Sequence, residues 1–395
     1  MLIPPFAFFG WVFFPIVIGC SIVGAYCIAW LAYLTFAQTD REFNIPYNPK
    51  RILKVNYAIL QGMWSFLPYL PLLAEYGYQR LFVIKRRHQQ IIKEDIYYGS
   101  HSKTNRLDLY IPDTANLQQQ FDALATHPVI VFLYGGAWSS GDKILYTLLA
   151  LRLRSLGYVV VVPNYTLYPN GKIDMMISDI YIMGHSAGAH LAALVTIRDA
   201  IIKSETTEGR INSKLEDIDP ELKLPKVIGL ILLAGVFDIS RHFLWEAKRG
   251  VEELSAMARA MGNTEENFAL NSPTILLEDA LKSRDIDLEK LKSLMPPKIL
   301  FIHGNKDSTV PLETTLRFNY VLNELCIKDL RLRIPSDMDH FDPLSGFMCN
   351  SRKNKFSSQL QYELADFINP FLLINLFNQG SRNVSELALV TLHLR

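Results

Sequence analysis

The sequence predicts an α/β fold, a mostly parallel sheet of eight strands flanked by helices. Two observations carry this. From about Gln90, apolar β-prone runs alternate with longer helix-period stretches, separated by Gly, Pro, Asn and Asp. The fifth apolar run ends in Gly184-His-Ser-Ala-Gly188 and leads straight into a small-residue helical stretch. That is the strand-turn-helix order of a tight, strained turn.

The eight strand segments are 92–98, 105–111, 129–134, 158–163, 180–184, 227–234, 298–303 and 329–334. Helical stretches fall at 143–155, 187–203, 249–261 and 312–326. Residues 204–225 are polar and read as an exposed connection. A serine turn after the fifth of eight strands matches an α/β-hydrolase.

In that turn Gly184 and Gly188 flank Ser186, which a strained elbow lifts clear of the backbone. The following helix, beginning at Ala187, aims its first N–H groups at the same place, which suits a developing oxyanion. A second donor is expected where Val129–Leu133 runs into Tyr134-Gly135-Gly136-Ala137-Trp138. Glycines there let backbone amides approach a carbonyl oxygen.

A serine hydroxyl needs a base, and the base needs an orienting carboxylate. Asp307 lies just past the strand 298–303, on the side where Ser186 must emerge. His340 lies past the last strand, among only 9 histidines in the chain. Asp337, Asp339 and Asp342 are rival acids, but they lie too near His340 in sequence to orient it as naturally. Trp138, Asp238, His242 and Glu246 could line a pocket; a spacing of four puts His242 and Glu246 on one helical face. For these three polar residues a local structural network is the plainer expectation. His185 and His190 read as packing or capping residues.

Residues 1–37 carry no charge, and Ile16 to Ala37 is an apolar run of 22 residues. That is long enough to span a ~30 Å hydrocarbon core. Tyr57 to Tyr76 is a second, weaker candidate to span or to lie at the interface, interrupted by Pro68 and Pro71. Lys50, Arg51 and Lys54 follow the first run and Lys85-Arg86-Arg87 the second, which places the catalytic domain on the cytosolic side. The expected organisation is a membrane-anchoring region over 1–85, a catalytic domain over 86–370 and a tail over 371–395. A net charge of +1 gives no argument for nucleic acid, and 4 scattered cysteines suggest neither a disulfide framework nor a metal site.

With these segments placed, residues 85–370 resemble the isoprenylcysteine carboxyl methylesterase family of carboxylesterase-like α/β-hydrolases. The resemblance rests on Tyr134–Asp142, Pro163–Gly171, the turn through His190, Gly235–His242 with Trp245–Gly250, Ser272-Pro273, and the surroundings of Asp307 and His340. It implies Ser186, Asp307 and His340 as a triad, and Gly136, Ala137 and Ala187, beside Gly135, as the oxyanion site. It implies a prenylcysteine methyl ester as substrate, no cofactor, and a membrane location such as the endoplasmic reticulum or Golgi. A broad carboxylesterase or lipid-ester hydrolase, and a catalytically impaired relative, are the competing expectations.

One departure stands out. Parallel neighbours are joined by a helical crossover of a dozen or more residues. Between the turn at Tyr168–Gly171 and the next strand only Lys172 to Ile180 remains. The resemblance implies a longer helix and a Gly-rich loop here, roughly 20 or more residues that this chain lacks. The expected consequence is a strand 180–184 that is harder to hold in place, and a misaimed Ser186.

Overall fold

The structure, a computed structural model, describes residues 5–36, 45–84, 92–97, 106–112, 127–165, 181–206, 227–349 and 354–368. It divides into two compact units: Met1–Pro68 with Phe243–Arg259, and Tyr69–His242 with Ala260–Arg395. The short connection 166–180, most of the polar stretch 204–225 and the tail 371–395 lie outside the described residues.

In the first unit, α1 (Pro5–Phe36) includes a 24-residue segment, Phe13–Phe36, long and apolar enough to cross a membrane. Proline at the first helical position and the Asn48 side chain, which accepts from Lys50 N at 3.0 Å, start α2 (Pro49–Phe66). Ala29, Ala32 and Tyr33 of α1 bury against Ile52 and Val55 of α2, with Leu254 packed on the cluster. Small residues at that seam let the helices approach. Asn56 is satisfied there, donating to the Ala25 and Ile52 carbonyls at 2.8 Å each. The opposite face of α2 leaves Leu53, Tyr57, Leu60 and Trp64 exposed. The segment 57–76 is not one continuous helix. Phe66 ends α2, a 3₁₀ turn covers Leu67–Tyr69, and α3 (Leu70–Tyr78) starts anew. Pro68 and Pro71 have no N–H to continue the ladder.

The second unit is built on eight strands in the order β1-β2-β4-β3-β5-β6-β7-β8. They are β1 (Ile92–Tyr97), β2 (Arg106–Tyr110), β3 (Val129–Leu133), β4 (Val159–Pro163), β5 (Tyr181–His185), β6 (Gly229–Leu233), β7 (Lys298–Ile302) and β8 (Asp329–Arg333). The pairs β1–β2 and β2–β4 are antiparallel and the rest parallel. Each lies within two residues of its expected segment. The central strands are buried and mostly apolar because helices cover both faces. Strand β5 sits between β3 and β6, with Ile130 opposite Tyr181 and Gly184 opposite Leu232.

The described helices continue with α4 (Thr147–Ser155), α5 (Ala187–Ser204), α6 (Ile239–Arg249), α7 (Met257–Met261), α8 (Glu265–Leu270), α9 (Pro273–Lys282), α10 (Leu288–Leu294), α11 (Leu312–Glu324), α12 (Asp342–Met348) and α13 (Ser357–Ile368). The single helix expected over 249–261 is corrected. Gly250, with a φ of +75°, stops α6, and α7 restarts behind Ser255, whose hydroxyl accepts from Met257 N at 3.2 Å. Helix α5 lies against the middle of the sheet with most of its residues buried, which sets the position of everything at its N-terminus.

Candidate active site

Ser186 stands between β5 and α5 with a φ of 56° and a ψ of −121°, a region that L-residues with side chains avoid. The surroundings hold it there. Its N–H donates to Leu233 O at the end of β6 at 2.9 Å, and its carbonyl accepts from His190 N at 3.1 Å. The glycines are steric necessities. A Cβ on Gly184 would lie 2.4 Å from Gly188 O, and one on Gly188 would lie 2.1 Å from Leu133 O.

The glycine turn after β3 lies against this elbow. A Cβ on Gly135 would sit 3.0 Å from Ser186 Cβ and 2.8 Å from His185 O. Beyond it Gly136, Ala137 and Trp138 all take positive φ. Among the described residues, the amides of Gly136, Ala137 and Ala187 have no hydrogen-bond acceptor. Ala187 opens α5, where the first amides have no partner within the helix.

Asp307 and His340 are brought into direct contact. His340 Nδ1 lies 2.8 Å from Asp307 Oδ2, with their side chains 3% and 0% exposed. The other carboxylate oxygen, Oδ1, accepts from Thr309 N at 2.9 Å and Val310 N at 2.7 Å. Burial works against its charge, but His340 and His303 outweigh it and hold the carboxyl well below the ordinary range. A carboxylate only accepts, so Nδ1 of His340 carries the hydrogen and Nε2 is left with its lone pair.

His303 was not singled out from sequence. It donates from Nε2 toward Val310 O at 3.1 Å and Asp307 Oδ2 at 3.2 Å, and its Nδ1 meets Thr315 Oγ1 at 2.7 Å. The available signal was a histidine at the end of an apolar strand, four residues before the acid.

His185, the residue before Ser186, packs its ring 4.9 Å from that of His340 and donates from Nε2 to His340 O at 2.9 Å. This ties the His340 loop to the elbow. Burial first, then the neighbouring His340, pushes His185 down to about 3, so it is neutral and is no second base near pH 7. The Ser186 hydroxyl makes no hydrogen bond to His340 among the described residues. Such contacts commonly close only when substrate is bound.

The rival acids build the loop instead. Asp339 accepts from His340 N at 2.7 Å, Asp342 accepts from Asp339 N at 2.8 Å and from the Tyr69 hydroxyl at 3.0 Å, and Asp337 pairs with Lys306 at 2.5 Å. Asp238 caps α6, accepting from Arg241 N at 3.0 Å, and pairs with Arg317 at 2.6 Å. That is a structural network. His242 and Glu246 are both buried in α6. Trp138 is 4% exposed, and its indole donates to His190 Nδ1 at 3.2 Å.

No family model matches the chain. The chain is 32% identical over 335 residues to a probable isoprenylcysteine alpha-carbonyl methylesterase of Oryza sativa subsp. japonica, covering 78% of this chain and 73% of that protein. It is 30% identical over 336 residues to a probable isoprenylcysteine alpha-carbonyl methylesterase of Arabidopsis thaliana, covering 78% and 72%. Among solved structures, an inhibited esterase B from Lactobacillus rhamnosis superposes with a TM-score of 0.51 at 17% identity, over 82% of this chain and 98% of that one. The sheet order, the elbow after the fifth strand and the extent of these alignments agree: the chain has the α/β-hydrolase fold and belongs to the isoprenylcysteine alpha-carbonyl methylesterase family of carboxylic-ester hydrolases.

Proposed function

We propose that this chain is a membrane-anchored serine esterase that hydrolyses the methyl ester of a C-terminal isoprenylated cysteine. The observation that carries the reading is the Asp307–His340 contact beside the strained Ser186. His340 Nε2 takes the proton of Ser186 as its oxygen attacks the ester carbonyl. The negative charge that develops on the carbonyl oxygen is met by the amides of Gly136, Ala137 and Ala187, with Gly135 giving room for their approach. The tetrahedral adduct collapses, and the methoxy group leaves as methanol with the proton from His340. Water, deprotonated by the same nitrogen, then attacks the acyl-enzyme and frees the acid and Ser186. Asp307 stays ionised and steadies the imidazolium. The chemistry uses no cofactor.

The names of the relatives support the prenylcysteine ester, and α1 supports the membrane. A prenyl chain partitions into a bilayer, so an anchored enzyme meets it at high local concentration. The basic residues after α1 favour a cytosol-facing domain; the endoplasmic reticulum or Golgi is what the family resemblance suggests. The test compares farnesylcysteine methyl ester with short-chain acyl esters, using the full chain in membranes and its Ser186→Ala variant. A strong preference for the prenylated ester that disappears in the variant supports the reading. Preference for short acyl esters makes it a broad carboxylesterase, and activity that survives Ser186→Ala removes Ser186 from the mechanism.

A second reading is an impaired hydrolase, favoured by the length of chain between Tyr165 and Tyr181.

A further inference from the structure

The turn that follows β3 is held in an unfavourable conformation. Gly136, Ala137 and Trp138 have φ of 146°, 49° and 60°. Consecutive side-chain-bearing residues in the left-handed region persist only where the surroundings over-determine them. Two side chains do so here.

The first is Ser140. Gly136 O accepts from Ser139 N at 3.1 Å, Ser140 N at 2.9 Å and Ser140 Oγ at 2.8 Å. That carbonyl and the Ala137 N–H belong to one planar peptide, so fixing the oxygen fixes the direction of the N–H. Donors on the oxygen also polarise the N–H. The fit is close: a Cβ on Gly136 would lie 2.0 Å from Ser140 O.

The second is His190. Its Nδ1 accepts from the Trp138 indole at 3.2 Å, and its Nε2 donates to Asn271 O at 2.8 Å. Both nitrogens are therefore committed in the neutral ring, and burial pushes the ring down to about 4. His190 N also donates to Ser186 O at 3.1 Å. One residue in the first turn of α5 thus holds both the serine and the end of the glycine turn.

We propose that Ser140 and His190 are positioning residues for ester hydrolysis: Ser140 through the Gly136 carbonyl and His190 through the Trp138 indole hold the 136–138 turn so that its amides meet the oxyanion. The proposal rests on the catalytic reading above. It takes two residues outside the triad and gives them a role in transition-state stabilisation rather than in substrate binding.

The experiment uses the full chain in membranes. Ser140→Ala is expected to lower kcat about tenfold, with KM within about twofold, and Ser140→Thr to restore most of it. Trp138→Phe, which removes the donor to His190, is expected to act the same way. The deciding readout is affinity for a trifluoromethyl ketone analogue, whose serine adduct needs the oxyanion amides. It should weaken by the same factor as kcat, while affinity for a non-hydrolysable ether analogue is unchanged. Unchanged kcat and ketone affinity in both variants overturns the proposal, as does equal weakening of ketone and ether, which marks a merely structural role. Ser186→Ala separates the layers. Full activity there overturns the catalytic reading and this proposal together, whereas an inactive Ser186→Ala beside fully active Ser140→Ala and Trp138→Phe overturns the proposal alone.

Discussion

His340 Nδ1 lies 2.8 Å from Asp307 Oδ2, and this contact decides which imidazole nitrogen carries the hydrogen. With Asp307 accepting only, Nδ1 must carry the hydrogen and Nε2 is left basic. Asp307→Asn keeps the shape but can present an amide N–H instead, which favours the other tautomer. Ester hydrolysis should fall about 10³–10⁴-fold in kcat, with the fold retained. Steady-state kinetics alongside circular dichroism check this; a loss under about tenfold would take the orienting role away from Asp307.

The buried histidines make stability depend on pH in a definite direction. Burial pushes His185 down to about 3 and His190 down to about 4. In the unfolded chain both titrate near about 6.5. Between those values the unfolded state holds two protons that the folded state does not, so stability is lost as the pH falls from about 6.5. Around pH 5 the slope should be about 2 to 3 kcal/mol per pH unit from this pair. Asp307, held below its ordinary range, adds loss of the same sign once the pH drops below about 4. Urea midpoints across this range measure the slope, and His185→Gln should roughly halve it at pH 5. A flat profile between pH 7 and 5 would contradict the neutral assignment of both rings.

Gly188 packs α5 onto the sheet. Its α-hydrogen faces Leu133, where a Cβ would meet the carbonyl oxygen at 2.1 Å and cannot fit without moving the helix. Gly188→Ala should cost about 3 kcal/mol and shift Ser186 with the helix N-terminus. The expected result is a lower melting point and loss of ester hydrolysis together. By contrast, Gly157→Ala sits in open space but carries a φ of +91°, so it should lower stability through backbone strain while leaving kcat unchanged.

The sheet was legible because its central strands are buried on both faces and therefore read as unbroken apolar runs, as in Val129–Leu133 and Gly229–Leu233. Ser186 was legible because its conformation demands glycines at fixed offsets, and Asp307 and His340 because they follow strand ends. What sequence did not disclose depends on contacts between distant segments. The end of α6 at Gly250 was missed because helix-prone residues continue on both sides of it. The pairing of Lys143 with Asp108, both buried, joins residues 35 apart with no periodic signature. Trp138 is pinned to His190, and nothing local to either residue announces that bond. The short helices α8 and α10 were overlooked although Thr264 and Asp287 cap them, each accepting from the amide three residues on.

Residues 164–180 join β4 to β5. These strands flank β3, so the chain must cross it between Pro163 and Tyr181. A parallel crossover takes a dozen or more residues, and residues 164–180 are all that the chain has for this one. A fluorophosphonate probe reports whether the elbow works, because it labels a serine only when base and oxyanion amides are aligned with it. If β5 is held as firmly as its register with β3 and β6 implies, the chain as it stands labels at Ser186, and Ser186→Ala abolishes labelling. Lengthening the segment 172–180 with a family-like crossover should then change the labelling rate by less than about threefold. A silent wild-type chain, with labelling restored by the longer crossover, instead locates the defect in that segment. A misplacement near 1 Å is enough to produce it, since that alone can cost about a hundredfold in rate.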